Sequence, residues 1–366
     1  MKKVLFLVTA LEVGGIETYL LRFLKYLDKD IEVTVLCKSG KAGSLEQDYI
    51  STNAKIILHP LSFFSIMDYV KFYKLLANNA YDAVCDFTGD FAGLVLLTSN
   101  IAKVPKRITF YRESKYQFKP TKARLLYAKA MNLLVQKNAT KILSNSNTAL
   151  NEFHPNWKQN KKLYNVIYNG IPEFVELNEN EKNRKRKTLG IPENAFIIGH
   201  VGRYTEAKNH KQILNVATHI LKKYNNVYFL LCGRDVDVAL SHKVMELGFS
   251  DKILMPGSRN DISEVLQCMD LFYFPSLNEG QPNALLEAMS LGVPVVASNI
   301  ESIKELFPKD YLDYLVDPND TISTIKIFEN LIKDITIYNT LDLKSWIRKY
   351  FNINKQFDKF KNELIG

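Results

Sequence analysis

Short apolar runs recur along the whole chain, and most are separated by segments whose apolar residues repeat at helical spacing. In the first half they fall at Val4 to Thr9, Glu32 to Cys37, Lys55 to Leu58, Ala83 to Asp86, Arg107 to Tyr111, Lys141 to Ser144 and Asn165 to Tyr168. The second half restarts the pattern with Phe196 to Val201, Val227 to Cys232, Lys252 to Met255, Leu271 to Phe274 and Val293 to Ala297. Near-continuous apolar strands are buried on both faces, and neighbours joined through a helix must run parallel. The pattern therefore predicts doubly wound parallel sheets. Ligands of such sheets lie beyond the carboxyl ends of the strands. That places Gly14-Gly15, Asp86 to Asp90, Tyr111 to Ser114 and Asn145 on one rim.

At 366 residues the chain is long enough for two such domains. Asn169-Gly170-Ile171-Pro172 closes the first, and a charged segment from Glu173 to Gly190 follows as the boundary. Met1 to Leu11 has no small-x-small cleavage site and leads into Gly14-Gly15, so it reads as a first strand and not a signal peptide. The tail, Ile325 to Lys333 and Leu341 to Leu364, is amphipathic, with Trp346, Phe351, Phe357, Phe360 and Leu364 on its apolar side. No apolar run approaches the ~20 residues of a membrane span.

The stretch from Asp270 to Ser298 carries the chemistry. It reads as buried strand, polar loop, helix and second buried strand, with Gly292 and Pro294 stopping the helix. Glu279 stands in the loop and Glu287 on the helix, among Leu285, Leu286, Ala288 and Met289. A carboxylate in such a wall is costly unless hydrogen bonds reach it, and a hydroxyl-rich ligand supplies them. The helix begins at or near Pro282, so the N–H groups of Asn283, Ala284 and Leu285 face the loop as an anion site. Sugar hydroxyls and phosphate together suggest a nucleotide sugar; the plainer alternative is a loop glutamate and a helix glutamate in a salt bridge. Upstream, Gly202-Arg203 ends one strand and Lys208-Asn209-His210 starts a helix, two cations poised for a diphosphate.

Glu279-Gly280-Gln281-Pro282-Asn283 with Glu287 resembles the Glu-x7-Glu signature of the retaining GT-B glycosyltransferases of family four, and the rest of the chain matches in order. The resemblance implies two Rossmann-like domains facing each other across a cleft. Residues 1–172 would form the acceptor side, 173–345 the nucleotide-sugar side, and 346–366 a helix crossing back. It implies that Gly14-Gly15-Ile16-Glu17 brings backbone close to the donor phosphates. Arg203 and Lys208, with Gly202, would neutralise the leaving diphosphate; Gly257 to Ile262, including Arg259 and Asn260, would border the base; Glu279 and Gly280 would hold the sugar and Glu287 the ribose. The donor would be a UDP-sugar carrying a hexose or N-acetylhexosamine, and the acceptor a saccharide or lipid-linked sugar of a surface polysaccharide. No cofactor and no metal are expected. The chain departs from the family at Thr109-Phe110-Tyr111-Arg112-Glu113-Ser114, where many relatives carry a histidine; Arg112 or Glu113 takes over, or the acceptor supplies the group. Two rivals share the fold: a non-hydrolysing UDP-sugar epimerase and a catalytically inactive binding partner.

Two other signals point elsewhere. Asp235-Val236-Asp237 mimics a metal-binding DxD motif but follows Gly233-Arg234 at a strand end, and the six histidines have no metal spacing. Cys37, Cys85, Cys232 and Cys268 lie far apart in apolar runs, which suits buried thiols in a reducing cytoplasm. The net charge of +9 is lopsided: residues 1 to 170 hold 24 Lys+Arg and 13 Asp+Glu, residues 171 to 366 hold 24 and 26. Between Lys103 and Lys141 eleven bases face one acid, Glu113. Such a strip suits an anionic membrane surface, expected at the inner face of the cell membrane, at ~1 kcal/mol per basic residue. No nucleic-acid-binding pattern accompanies it, so nucleic acid is not an expected partner.

Overall fold

The computed structural model describes all residues except Lys29, Phe63, Phe64 and 114–120, so Ser114, Lys115 and Lys119 lie outside the described residues. Two compact units emerge, Met1–Gly170 with Ile353–Gly366, and Ile171–Asn352. The first unit holds β1 (Lys2–Val8), β2 (Ile31–Cys37), β3 (Lys55–Leu58), β4 (Ala83–Asp86), β5 (Lys106–Tyr111), β6 (Lys141–Ser144) and β7 (Tyr164–Val166). The second holds β8 (Phe196–Val201), β9 (Val227–Cys232), β10 (Ile253–Gly257), β11 (Leu271–Phe274), β12 (Val295–Ser298) and β13 (Leu315–Val316). Their orders are β3-β2-β1-β4-β5-β6-β7 and β10-β9-β8-β11-β12-β13. Each sheet thus reverses direction beside its first strand, between β1 and β4 and between β8 and β11, where doubly wound sheets place their ligands. Every described pairing is parallel; Leu7 lies opposite Asp86 in the first unit and Gly199 opposite Phe272 in the second.

Strand ends differ from the sequence expectation by a residue or two, and β13 was not expected at all. Two residues carry no periodicity, and only the neighbouring β12 makes them a strand. The larger difference is at Glu173 to Gly190. This charged segment contains the helix Glu179–Thr188, opened by a capping box between Asn178 and Glu181. Its cations are occupied within the second unit: Arg186 forks onto Asp270 at 3.0 and 3.1 Å, and Lys185 pairs with Asp261 and Glu264. Lys, Arg and Glu are good helix formers, and bases in the last turn suit the helix dipole.

The tail forms three helices, Thr321–Lys333, Thr340–Tyr350 and Ile353–Ile365. The chain re-enters the first unit at Ile353 and not at Trp346, whose indole donates to the Leu306 carbonyl of the second unit at 2.9 Å. A side chain at Gly170 would collide with the Ile353 backbone, so glycine is what lets the returning helix close. Phe357, Phe360 and Leu364 enter the core of the first sheet, with the Phe360 ring 4.5 Å from Phe23 and 5.2 Å from Phe110. The four cysteines are buried and free, and among the described residues no helix is long and apolar enough to cross a membrane.

Phe360 is fully buried, so Phe360→Ala should destabilise the first unit by about 3–5 kcal/mol. Thermal denaturation followed by tryptophan-independent circular dichroism would show it, and an unchanged transition would mean the tail helix adds nothing to this core.

Candidate active site

In the second unit the expected residues gather at the β8/β11 switch point. A side chain on Gly233 would strike the Gly202 carbonyl, so glycine there lets the ends of β8 and β9 pass in contact. Gly202 donates to the Cys232 carbonyl at 2.9 Å, and Gly233 to that of Gly257 at 2.9 Å. Three strand ends are thereby drawn into one backbone-lined floor. Leu277 donates to the Ala207 carbonyl at 2.7 Å, tying the loop after β11 to the turn that carries Lys208.

On this floor Lys208 and Glu279 form an ion pair at 2.6 Å, both side chains largely shielded, with the ammonium 4.6 Å from the Phe274 ring centroid. A β-carbon on Gly202 would sit 3.2 Å from Lys208 Cδ, so the lysine stem lies directly over that glycine. Arg203 is exposed beside it. Pro282 is the N-cap of the helix Asn283–Ser290, which leaves the first N–H groups outside the helical ladder. Leu285 is fully buried, so only its backbone can face the loop. Glu287 is not in an apolar wall: with Asn283, Ala284 and Ser290 it forms the half-buried stripe of this helix, while Leu285, Leu286, Ala288 and Met289 fill the core. The spacing of three and four residues puts those polar positions on one face.

Arg259 is tied to a neighbour two residues on. Its guanidinium holds Asp261 at 2.7 and 2.6 Å, and Arg259, helped by Lys185, keeps that carboxyl well below the usual range. Asn260 is exposed next to it, and Gly280 is half-buried beside Glu279. Asp235 caps the helix Val236–Glu246 from a left-handed backbone and lies 3.7 Å from Arg234, with Asp237 in the first helical turn.

Behind Lys208 stand two histidines that the sequence did not single out as a pair. The rings of His200 and His210 meet edge to face at 5.1 Å, both buried. His200 Nδ1 lies 3.0 Å from the Tyr273 carbonyl, while its Nε2 and both nitrogens of His210 have no partner. Burial pushes His210 down to about 4 and His200 well below its usual value. Their only sequence signal was position: one ends a buried strand, the other opens a helix.

The first unit places the remaining residues at the start of the helix Gly15–Tyr26. Gly14 is its N-cap, and a β-carbon there would lie 2.5 Å from Glu17 Oε2, so Glu17 curls back over the helix start. Burial raises the pKa of that carboxyl. Gly15 is open. The Arg112 guanidinium lies over the Tyr19 ring, 3.8 Å from its centroid. The rim acids Asp86 and Asp90 are internal: Asp86 takes Lys38 at 2.9 Å, and Asp90 takes Asn132 at 2.7 Å and the Tyr111 hydroxyl.

Residues 13–173 match the profile described as Glycosyltransferase Family 4, and residues 181–342 that of Glycosyl transferases group 1. The capsular polysaccharide biosynthesis glycosyltransferase CapH of Staphylococcus aureus is 31% identical over 337 residues, 89% of this chain and 90% of its own. The chain belongs to the GT-B glycosyltransferases. An Escherichia coli UDP-Gal:α-D-GlcNAc-diphosphoundecaprenol α-1,3-galactosyltransferase is 25% identical to this glycosyltransferase, over 92% of it and 90% of its own chain. The fold is shared with Anabaena HepE bound to UDP, at a TM-score of 0.83 and 19% identity over 99% of both chains. It is shared also with WaaG, at 0.72 and 17% over 99% of this chain and 100% of the other.

The buried histidines make the glycosyltransferase acid-sensitive. His154 is likewise pushed down to about 4. Below the ordinary value of ~6.5 the unfolded chain takes up protons that the folded one refuses, so stability falls as pH drops from ~6.5 and, for His154 and His210, levels off below ~4. Denaturant midpoints of the parent and His210→Gln should converge between pH 7 and 4.5, the variant losing less by on the order of 2 kcal/mol. Parallel pH profiles would show that His210 does not titrate with folding.

Proposed function

We propose that this glycosyltransferase moves a hexose or N-acetylhexosamine from a UDP-sugar, with retention, to a saccharide or lipid-linked acceptor in surface polysaccharide synthesis. The observation that carries the reading is the Lys208–Glu279 pair at 2.6 Å on the glycine floor, a cation and a carboxylate side by side where a diphosphate and a sugar must both be held. The relatives named for capsule synthesis and for galactosyl transfer from UDP-Gal support it, as does HepE with UDP bound.

In this mechanism the donor diphosphate takes Lys208 from Glu279, and Glu279 turns to the sugar hydroxyls. Glu287 holds the ribose. Breaking the glycosidic bond adds about one negative charge to the diphosphate, and Lys208, Arg203 and the N–H groups of Asn283, Ala284 and Leu285 stabilise it there. Groups fixed where charge grows act more strongly on the transition state than on the bound donor. Substitution then occurs on one face of the sugar through an oxocarbenium-like state, and the protein's own cations replace a metal.

Calorimetry with UDP tests the division of labour: Glu287→Ala should weaken binding, and Glu279→Ala should leave it nearly intact while damaging turnover. Equal losses in both would sink it. Lys208→Ala should cost ~10²–10³-fold in kcat, and EDTA should leave the parent rate unchanged. A rate that collapses in EDTA and recovers with manganese would return Asp235 and Asp237 as ligands.

We further propose that the glycosyltransferase works in the cytoplasm, docked on the anionic inner face of the membrane. The support is the helix Lys122–Asn138, which has no acid. Lys122, Leu126, Lys129, Leu133 and Lys137 line one exposed face of it. Lys122 and Arg124 occupy the first turn, where the helix dipole disfavours cations, so their placement serves something other than the helix. Reversing Lys122, Arg124, Lys129 and Lys137 to Glu should abolish salt-sensitive sedimentation with phosphatidylglycerol liposomes; a variant that sediments like the parent overturns the idea.

A further inference from the structure

Arg112 holds a charge that the described residues leave uncompensated. Its guanidinium lies on Tyr19 at 3.8 Å and near Phe110 at 5.0 Å from the ring centroids. Its Nη1 is shut off from solvent and has no hydrogen-bond partner. No ion pair reaches it among the described residues; Glu17, the one acid among its electrostatic neighbours, acts on it at longer range. Burial lowers its pKa to about 10, which leaves it charged at neutral pH.

A desolvated charge without a counter-charge is strongly unfavourable, whereas one completed by a partner can be net favourable. The next residue group shows the same incompleteness. Asn145 is 2% exposed, donates to the Arg112 carbonyl at 3.4 Å, and its Oδ1 has no partner. Both side chains extend from the carboxyl ends of adjacent parallel strands, β5 and β6. A half-buried guanidinium with one shielded, unpartnered nitrogen beside a lone acceptor matches an oxyanion flanked by a hydroxyl.

We propose that Arg112 and Asn145 form a subsite for an oxyanion of the sugar acceptor, and that Arg112 sets the acceptor specificity of this glycosyltransferase. The oxyanion is either the carboxylate of a uronic acid residue or a phosphate of a lipid diphosphate carrier; both offer the planar pair of oxygens that a guanidinium holds and an ammonium does not. The proposal rests on the glycosyltransferase reading above in taking the ligand to be an acceptor.

The full chain saturated with UDP is titrated with two matched pairs of probes, methyl glucuronide against methyl glucoside and farnesyl diphosphate against farnesol. The parent should prefer the charged member of one pair by about tenfold or more, as expected for a charge-assisted hydrogen bond. Which pair shows the preference identifies the source of the oxyanion. Arg112→Gln should erase the preference, Arg112→Lys should keep only part of it, and Asn145→Ala should reduce it. Arg184→Gln, an exposed arginine of the second unit, should change nothing. The proposal is overturned if the parent shows no preference in either pair, if the preference survives in Arg112→Gln, or if Arg184→Gln erases it equally. UDP affinity, measured in the same titrations, reports on the donor reading by itself: a parent that fails to bind UDP overturns that reading, and UDP binding without the oxyanion preference overturns only the subsite.

Discussion

Parallel pairing is the constraint from which the rest of this molecule follows. A parallel strand cannot be reached by a tight turn, so each connection must cross a face of the sheet, usually as a helix. All strands then end on the same side, and every loop that follows a strand is delivered to one rim. In the second unit that rim collects Gly202, Lys208, Gly233, Gly257, Glu279 and the start of the helix Asn283–Ser290 from four separate stretches of chain. The first unit collects Gly14, Arg112 and Asn145 in the same way.

The energetics of the two rims differ. In the second unit charges at the rim are matched: Lys208 with Glu279 and Arg259 with Asp261. Pairs of this kind are weak evidence for stability, because desolvation offsets most of the attraction. What they supply is geometry. Lys208 is held over Gly202 with its stem on the backbone floor, so its ammonium is fixed in place. In the first unit Asp86 and Asp90 are matched and Arg112 is not, and an aromatic face is its principal neighbour. A cation on an aromatic ring keeps part of its stabilisation without an anion.

The neutral histidines behind Lys208 fit the same logic. A protonated imidazole there would repel the ammonium, and burial prevents it. The cost is acid sensitivity, carried by residues that touch no expected ligand.

The sequence by itself determined all the strands but β13, their parallel pairing and the two glutamates with seven residues between them, because periodicity, glycine placement and loop chemistry are local properties. It also determined that Pro282 opens a helix, since a missing N–H is harmless only there. Other features came from tertiary packing. Nothing local distinguishes Arg186, which reaches Asp270, from Arg203, which is exposed; partners distant in the chain decide which arginine is spent. The charged segment before Ile191 looked like a boundary because it is charged throughout, yet Asp261, Glu264 and Asp270 draw its bases into the fold. Glu287 looked buried by its neighbours, whereas the helical turn of 3.6 residues places it with Asn283 and Ser290 on the half-buried side. The tertiary structure alone set the Arg112 guanidinium on Tyr19, because ninety-three residues of chain separate a β-strand's end from the helix it must meet, and only the crossover through the sheet brings them together.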